Sequence, residues 1–262
     1  MHRFHLPPEQ CREPLLTLAN REAQHALRVL RLRRGDAATV LDGAGREFTC
    51  EVADTGRDRL TLAVKSHRTV PRPPCQLTLL QALPKGKLFN SIIEKATELG
   101  AARVIPLLTE RVVVQLDEER AGTRREHWQQ VAIESIKQCG ALWLPRVEAA
   151  VTPAGFLARD EPFELPLIAS LQPGSRHPRE YFDEFHRRRG RLPASTCVWV
   201  GPEGDFTPEE VAAVTKSGAF PITLGPLVLR VDTAAVYCLS VLSYELQRPP
   251  ARISHQRSQP PT

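Results

Sequence analysis

Apolar positions follow two different rhythms along the 262-residue chain. Through residue 72 they come in short pieces: "RFHL", a helical stretch near "NREAQHALRVLRL", then the strand-like runs "ATVLDG", "REFTCEVAD" and "RLTLAVKSH". Asn20 stands where a helix cap is expected, and "LDGAGREF" supplies a glycine-containing turn between two strands. Several short strands around one helix predict a small barrel. "RTVPRPPCQ" follows, with three prolines at positions 71 to 74. Proline lacks an N–H donor, so this stretch cannot hold a sheet ladder and reads as a stiff linker.

Beyond the linker, strand-like and helix-like units alternate. "QLTLLQAL" reads as a strand, "KLFNSIIEKATEL" as a helix that Gly100 ends, "ARVIPLLT" as a strand and "RREHWQQVAIESIKQC" as a helix. "LPLIAS", "TCVWV" and "PITLG" are further strands, "TPEEVAAVTKS" a helix stopped by Gly218, and "TAAVYCLSVLSYEL" a final helix. Such alternation predicts an α/β unit with a parallel sheet. Residues 173 to 194, with "HRRRGR", read as a loop-bearing excursion. The expected division is a small domain over 1–72, a larger one over 73–247, and a disordered tail over 248–262, rich in Pro, Arg and Ser.

One strand exit carries most of the chemistry. In "WVGPEGDFTPEEV", residues 199 to 211, an apolar run gives way to Gly-Pro-Glu-Gly and at once to a helix start. Thr207 is the expected N-cap, Pro208 suits the first helical position, and Glu210 completes a capping box. Turns of this kind line the crevice at the carboxyl ends of a parallel sheet, where ligands bind. Two more segments stand out: "LGPLVLRVDTAA", which places Gly225, Arg230 and Asp232 just before the last helix, and "KATELGAARVIPL". The chain has neither G-x-G-x-x-G nor the P-loop pattern, so nothing supports a dinucleotide or nucleoside-triphosphate site.

Composition narrows the setting. With 42% hydrophobic and 25% charged residues and no run of about 18 apolar positions, the chain reads as globular, with no membrane partner expected. The start "MHRFHLPPEQ" lacks the apolar core of a signal peptide, and the six cysteines form no C-x-x-C pair. A cytoplasmic location with no metal is expected. Residues 1–73 hold 13 Lys and Arg against 9 Asp and Glu, while the rest hold 22 against 21. The basic excess is therefore N-terminal and points to a polyanion contact there, though a charge run also serves simply as a solvated face.

Taken in order, "HALRVLRLRRGD", "KATELG", "GPEGDFTPEE" and "LGPLVLRVDTAA" resemble the bacterial 16S rRNA uracil-N3 methyltransferases of the SPOUT superfamily, from about residue 2 to 246. The resemblance implies a PUA-like β-barrel followed by a SPOUT domain whose C-terminal part forms a deep trefoil knot. It implies S-adenosylmethionine as cofactor, a homodimer with active sites near the interface, and 16S rRNA in the small ribosomal subunit as partner. Matched motif by motif, Gly201, Pro202, Glu203 and Gly204 fall on a first cofactor loop, and Leu224, Gly225, Leu229, Arg230 and Thr233 on a second. The chain departs from the family pattern at Asp205, where a second glycine is common, and at Leu227, Val231 and Asp232.

Methylating uracil N3 requires removal of a weakly acidic proton and stabilisation of the charge left behind. Arg230 is the expected stabiliser and Glu203 the expected proton acceptor, with Asp232 the alternative. Each also has a structural reading: Glu203 as a helix-dipole partner, Arg230 in an ion pair, Asp232 as cap of the last helix. RNA capture is expected of His25, Arg28, Arg31, Arg33 and Arg34, with Arg28 and Arg31 on one helical face. Two rival readings stand beside this one: a related enzyme acting on tRNA, and an RNA-binding ribosome-assembly factor without catalysis.

Overall fold

The computed structural model describes residues 2–86, 88–111, 118–172 and 174–247; the tail from 248 lies outside the described residues. Five strands form the N-terminal sheet: β1 (His2–His5), β2 (Leu15–Ala19), β3 (Ala37–Leu41), β4 (Arg46–Thr55) and β5 (Arg59–Thr69). Their order is β1-β3-β4-β5-β2, antiparallel except for β1 beside β3, and the sheet curls into a half-barrel. In β2, Leu16 and Leu18 are fully buried while Leu15, Thr17 and Ala19 face outward, the period-two pattern of a strand with one wet face. The short helix α1 (Asn20–Gln24) starts from Ala19 as cap rather than from Asn20, which takes φ 49°.

The second sheet is all parallel, in the order β11-β9-β10-β6-β7-β8. Its strands are β6 (Gln76–Ala82), β7 (Arg103–Leu107), β8 (Arg146–Val147), β9 (Leu165–Ala169), β10 (Ser195–Val200) and β11 (Phe220–Ile222). Around it lie α2 (Leu88–Glu98), α3 (Glu118–Cys139), α4 (Pro153–Leu157), α5 (Pro178–Arg189), α6 (Pro208–Lys216) and α7 (Val231–Leu246). Both faces are covered, which explains the unbroken apolar run of β10. Val198 and Val200 join the core that includes α2 and α7, while Cys197 and Trp199 join the core beside α4 and α6.

The loop-bearing excursion over 173–194 contains a helix that the sequence pattern did not predict. That helix is α5, capped by His177 and Glu180 in a reciprocal box and ended by Gly190 at φ 70°. Its sequence is so charged that the apolar stripe reduces to Tyr181, Phe182 and Phe185, too little to register as a helical period.

The two sheets meet at the end of α3. The Arg3 guanidinium donates to the carbonyls of Lys137 and Gln138 at 3.2 and 3.0 Å, and Lys137 pairs with Glu22 at 2.8 Å. Gly45 sits at φ +100° where a Cβ would stand 2.6 Å from the Val70 carbonyl and 2.7 Å from the Trp143 ring, so no other residue fits this contact.

Candidate active site

At the carboxyl ends of β9, β10 and β11 three loops converge on a cleft enclosing about 570 Å³, part of it open to solvent. Ala169, Ser170 and Leu171 come from the end of β9, and Val200, Gly201, Pro202, Glu203 and Asp205 from the exit of β10. The remaining wall is Leu224, Gly225 and Leu227 to Leu229 together with Val231 and Ala234 on the first turns of α7. The wall is mostly aliphatic, with the two carboxylates of Glu203 and Asp205 on one side.

The β10 exit is tied down from several directions. Thr207 Oγ1 accepts the Glu210 N–H at 3.2 Å and Glu210 Oε2 accepts the Thr207 N–H at 2.9 Å, the expected capping box. The other oxygen of buried Glu210 accepts the N–H of Glu110, 3.0 Å away in the loop after β7. Arg111, next in that loop, donates to the Gly204 carbonyl. Lys85, just past β6, donates its N–H to Glu203 Oε1 at 3.2 Å. Asp205 takes φ 61° and its Oδ1 accepts the N–H of Phe206 at 2.8 Å. A left-handed position explains why a glycine is common there, and Asp is among the few other residues that tolerate it.

Six of the residues matched to the cofactor loops line the cleft: Gly201, Pro202, Glu203, Leu224, Gly225 and Leu229. Gly204, Arg230 and Thr233 stand off its wall. Helix α7 begins at Val231, two residues before the expected start, so exposed Arg230 becomes its N-cap and Asp232 lies within the first turn instead of capping it. Among the described residues Arg230 makes no ion pair. The departures Asp205, Leu227 and Val231 all line the cleft, and sequence reasoning gave none of them a place there. It also passed over Ser170 and Leu171, although sequential parallel strands commonly neighbour one another and so share an edge.

In the N-terminal region His25, Arg28, Arg31, Arg33 and Arg34 are all exposed. Arg28 and Arg31 do not share a helical face. The chain widens into a π turn over His25–Val29 and Arg31 takes φ 54°, beyond the helix, while Arg28 reaches toward Asp58 at 3.7 Å. His25 meets the Phe4 ring edge-on at 6.5 Å.

Among the described residues no group of His, Cys, Asp or Glu could hold a metal, and no helix is long and apolar enough to cross a membrane. Burial pushes the Cys197 and Cys238 thiols up to about 12, which leaves them protonated and poor nucleophiles.

A parallel sheet with a cleft at its carboxyl edge, behind a curled antiparallel module, is the architecture of an RNA methyltransferase: residues 71–243 match the RNA methyltransferase domain and 18–65 the RNA methyltransferase PUA domain. A ribosomal RNA small subunit methyltransferase E of Synechocystis is 33% identical over 249 residues, 94% of this chain and 78% of that protein. A Legionella pneumophila protein solved with S-adenosylmethionine bound superposes with a TM-score of 0.82 at 32% identity, over 92% of this chain and 96% of that one. A ribosomal RNA small subunit methyltransferase E from Neisseria gonorrhoeae bound to S-adenosyl methionine gives 0.78 at 25%, over 93% and 97%. The chain belongs to the small subunit ribosomal RNA methyltransferase E family.

Proposed function

We propose that the protein uses S-adenosylmethionine to methylate N3 of one uridine of 16S rRNA in the small ribosomal subunit. The observation that carries this reading is the convergence of the 201–205 and 224–231 loops on one aliphatic cleft with two carboxylates at its side. Such a wall fits a flat heterocycle bearing a positively charged tail. Leu171, Val200, Leu224 and Leu229 offer apolar surface, and Glu203 and Asp205 offer charge complementary to a sulfonium and an ammonium. When bound there, S-adenosylmethionine supplies an electrophilic methyl group.

The chain's own task is then to place the uracil and move one proton. Glu203, held by the Lys85 N–H, presents its second carboxylate oxygen to accept the N3 proton, directly or through a water. Arg230, free of an ion pair among the described residues, offers at the start of α7 a guanidinium to the charge that grows on O2 and O4. Asp232, in the first turn of α7, is the alternative acceptor.

The same reading divides the chain at 1–72 and 73–247, gives RNA capture to exposed His25, Arg28, Arg31, Arg33 and Arg34, and places the protein in the cytoplasm. A homodimer is supported by exposed Leu227 and Val228 and by the exposed Tyr237 and Tyr244, two turns apart on α7. A knotted threading is supported by the return of the chain from edge strand β11 to α7, which packs over β10 and β6 in the middle of the sheet.

The test uses purified protein, labelled S-adenosylmethionine and small subunits from a strain lacking the gene, with mass spectrometry of the digested nucleosides. N3-methyluridine is the expected product. Methyl transfer confined to tRNA overturns the substrate, and failure to bind the cofactor leaves the non-catalytic assembly factor.

A further inference from the structure

The basic run at the end of α5 has no part in the cleft just described. His186, Arg187, Arg188 and Arg189 form the last turn of α5, and Arg191 follows Gly190. Arg188 is paired with Glu184, and Arg191 with Glu164, one of whose oxygens also accepts the Ala194 N–H at 2.6 Å. Among the described residues Arg187 and Arg189 make no ion pair, so the turn keeps two exposed guanidinium groups outside direct pairing, Arg189 adding only its charge to those that lower the Glu164 carboxyl.

Arg188 and Arg189 border a second hollow of about 530 Å³, part of it open to solvent, between α5 and the sheet edge, and Arg187 flanks it on the same turn. Its wall includes Tyr181, Phe185, Arg188 and Arg189 from one face of α5, with Phe220 of edge strand β11 opposite. Phe220 is 42% exposed, stacked on Tyr181 at 4.9 Å, and Arg191 lies over the Phe185 ring at 5.8 Å. An exposed aromatic ring such as Phe220 beside guanidinium groups is what an unpaired nucleic-acid strand uses: a base stacks, phosphates meet arginine. The wall's two carboxylates, Glu164 and Glu184, are already held by Arg191 and Arg188.

The position of this cavity gives it a use. Glu164 and Leu165 lie at the start of β9, whereas Ala169 to Leu171 at its far end line the cofactor cleft. The cavity is therefore at the amino-terminal ends of the strands, opposite the cleft at their carboxyl ends. The amino-terminal end is also the one to which the N-terminal module is joined. Gln76, the first residue of β6, donates its N–H to the carbonyl of Ala194, whose own N–H is on Glu164. The linker before Gln76 runs back to Trp143, which donates to the Pro71 carbonyl and backs Gly45 of the N-terminal sheet.

We propose that the end of α5, with Phe220, is a second RNA-contact surface, taking phosphates on Arg187 and Arg189 and an unstacked base on Phe220. It rests on the reading that the protein acts on RNA, and it adds to the N-terminal footprint a contact at the amino-terminal ends of the strands, the end remote from the chemistry. The test measures anisotropy of a labelled single-stranded oligouridylate of about 12 nucleotides on the full-length protein, across a salt series. Arg187→Glu with Arg189→Glu is expected to weaken binding at least fivefold and to lower the salt slope by about 1.5, and the two alanine changes to act in the same direction. Phe220→Ala is expected to weaken binding about fivefold with an unchanged slope. S-adenosylmethionine affinity should not move. If α5 reversal leaves affinity and slope as they were while reversal at Arg31 and Arg33 weakens binding, this proposal falls and the RNA reading stands. If α5 reversal costs binding to small subunits but not to the oligouridylate, the partner is a protein and the proposal falls. If the unaltered protein binds neither, the RNA reading fails and takes this proposal with it.

Discussion

The backbone N–H of Lys85 donates to the carboxylate of Glu203 at 3.2 Å, across 118 positions of sequence. One oxygen is thus fixed by the β6 exit while Glu203 itself stays exposed on the cleft wall. If the second oxygen accepts the uracil proton, Glu203→Gln keeps the tether and loses the base. Turnover is expected to fall about 100-fold with cofactor affinity within about twofold. Glu203→Ala also releases the loop and should weaken the cofactor as well. Single-turnover rates and calorimetric affinities separate the two variants, and near-normal turnover in Glu203→Gln moves the role to Asp232.

Arg230 is held as the N-cap of α7, off the cleft wall, at φ −65° and ψ 153°. On the proposed reading, a side chain placed there meets the nucleotide rather than the cofactor. Arg230→Ala is therefore expected to leave cofactor affinity nearly unchanged and to lower turnover at saturating RNA about 100-fold. Arg230→Lys keeps the charge but not the planar fork and should recover only part of the loss. A parallel fall in cofactor affinity would place the guanidinium inside the cleft instead.

The sequence made legible what local chemistry decides. The capping box of Thr207 and Glu210 was readable because cap geometry depends on four neighbouring residues, and "STCVWV" because a strand covered on both faces must be apolar throughout. Helix α5 was not, because its fold depends on a few aromatic contacts and a histidine cap within a charged stretch. The supposed shared face of Arg28 and Arg31 failed because an ideal helical period was carried through a π turn and past its end. Within the site, the motif match supplied both loops. It could not show that Asp205, Leu227 and Val231 face the cleft while Gly204, Arg230 and Thr233 do not, since that depends on how α7 starts and how β9 lies beside β10.

Glu210 joins the β10 exit to the loop after β7 through the N–H groups of Thr207 and Glu110. Both donors lose a charged acceptor in Glu210→Ala. Loss of a cap costs about 1 kcal/mol and an unsatisfied donor about 1–3, so a fall in melting temperature of about 5 °C is expected. Because the same loop carries Glu203 and Asp205, cofactor affinity should fall about tenfold. Glu210→Gln, which keeps one acceptor oxygen, should lie between. Unchanged melting and unchanged affinity would mean that Arg111 and Lys85 hold the loop unaided.

His5 sits at the meeting of the two sheets, and its pKa is lowered from the ordinary 6.5 by burial first and by the Lys137 charge second. A lowered base is neutral in the folded protein at a pH where the unfolded chain binds a proton. Its contribution to stability is therefore complete above pH 6.5 and is lost as the pH falls from there through the lower folded value. Carboxylates act in a separate window: Glu164, held at about 2 by Arg191 and the Ala194 N–H, loses its contribution only below 4.5. Denaturant midpoints measured between pH 8 and about 5 should thus decline below 6.5, and His5→Asn should flatten that decline. A decline of equal steepness in His5→Asn would assign the proton uptake to another group and remove His5 from the coupling between the sheets.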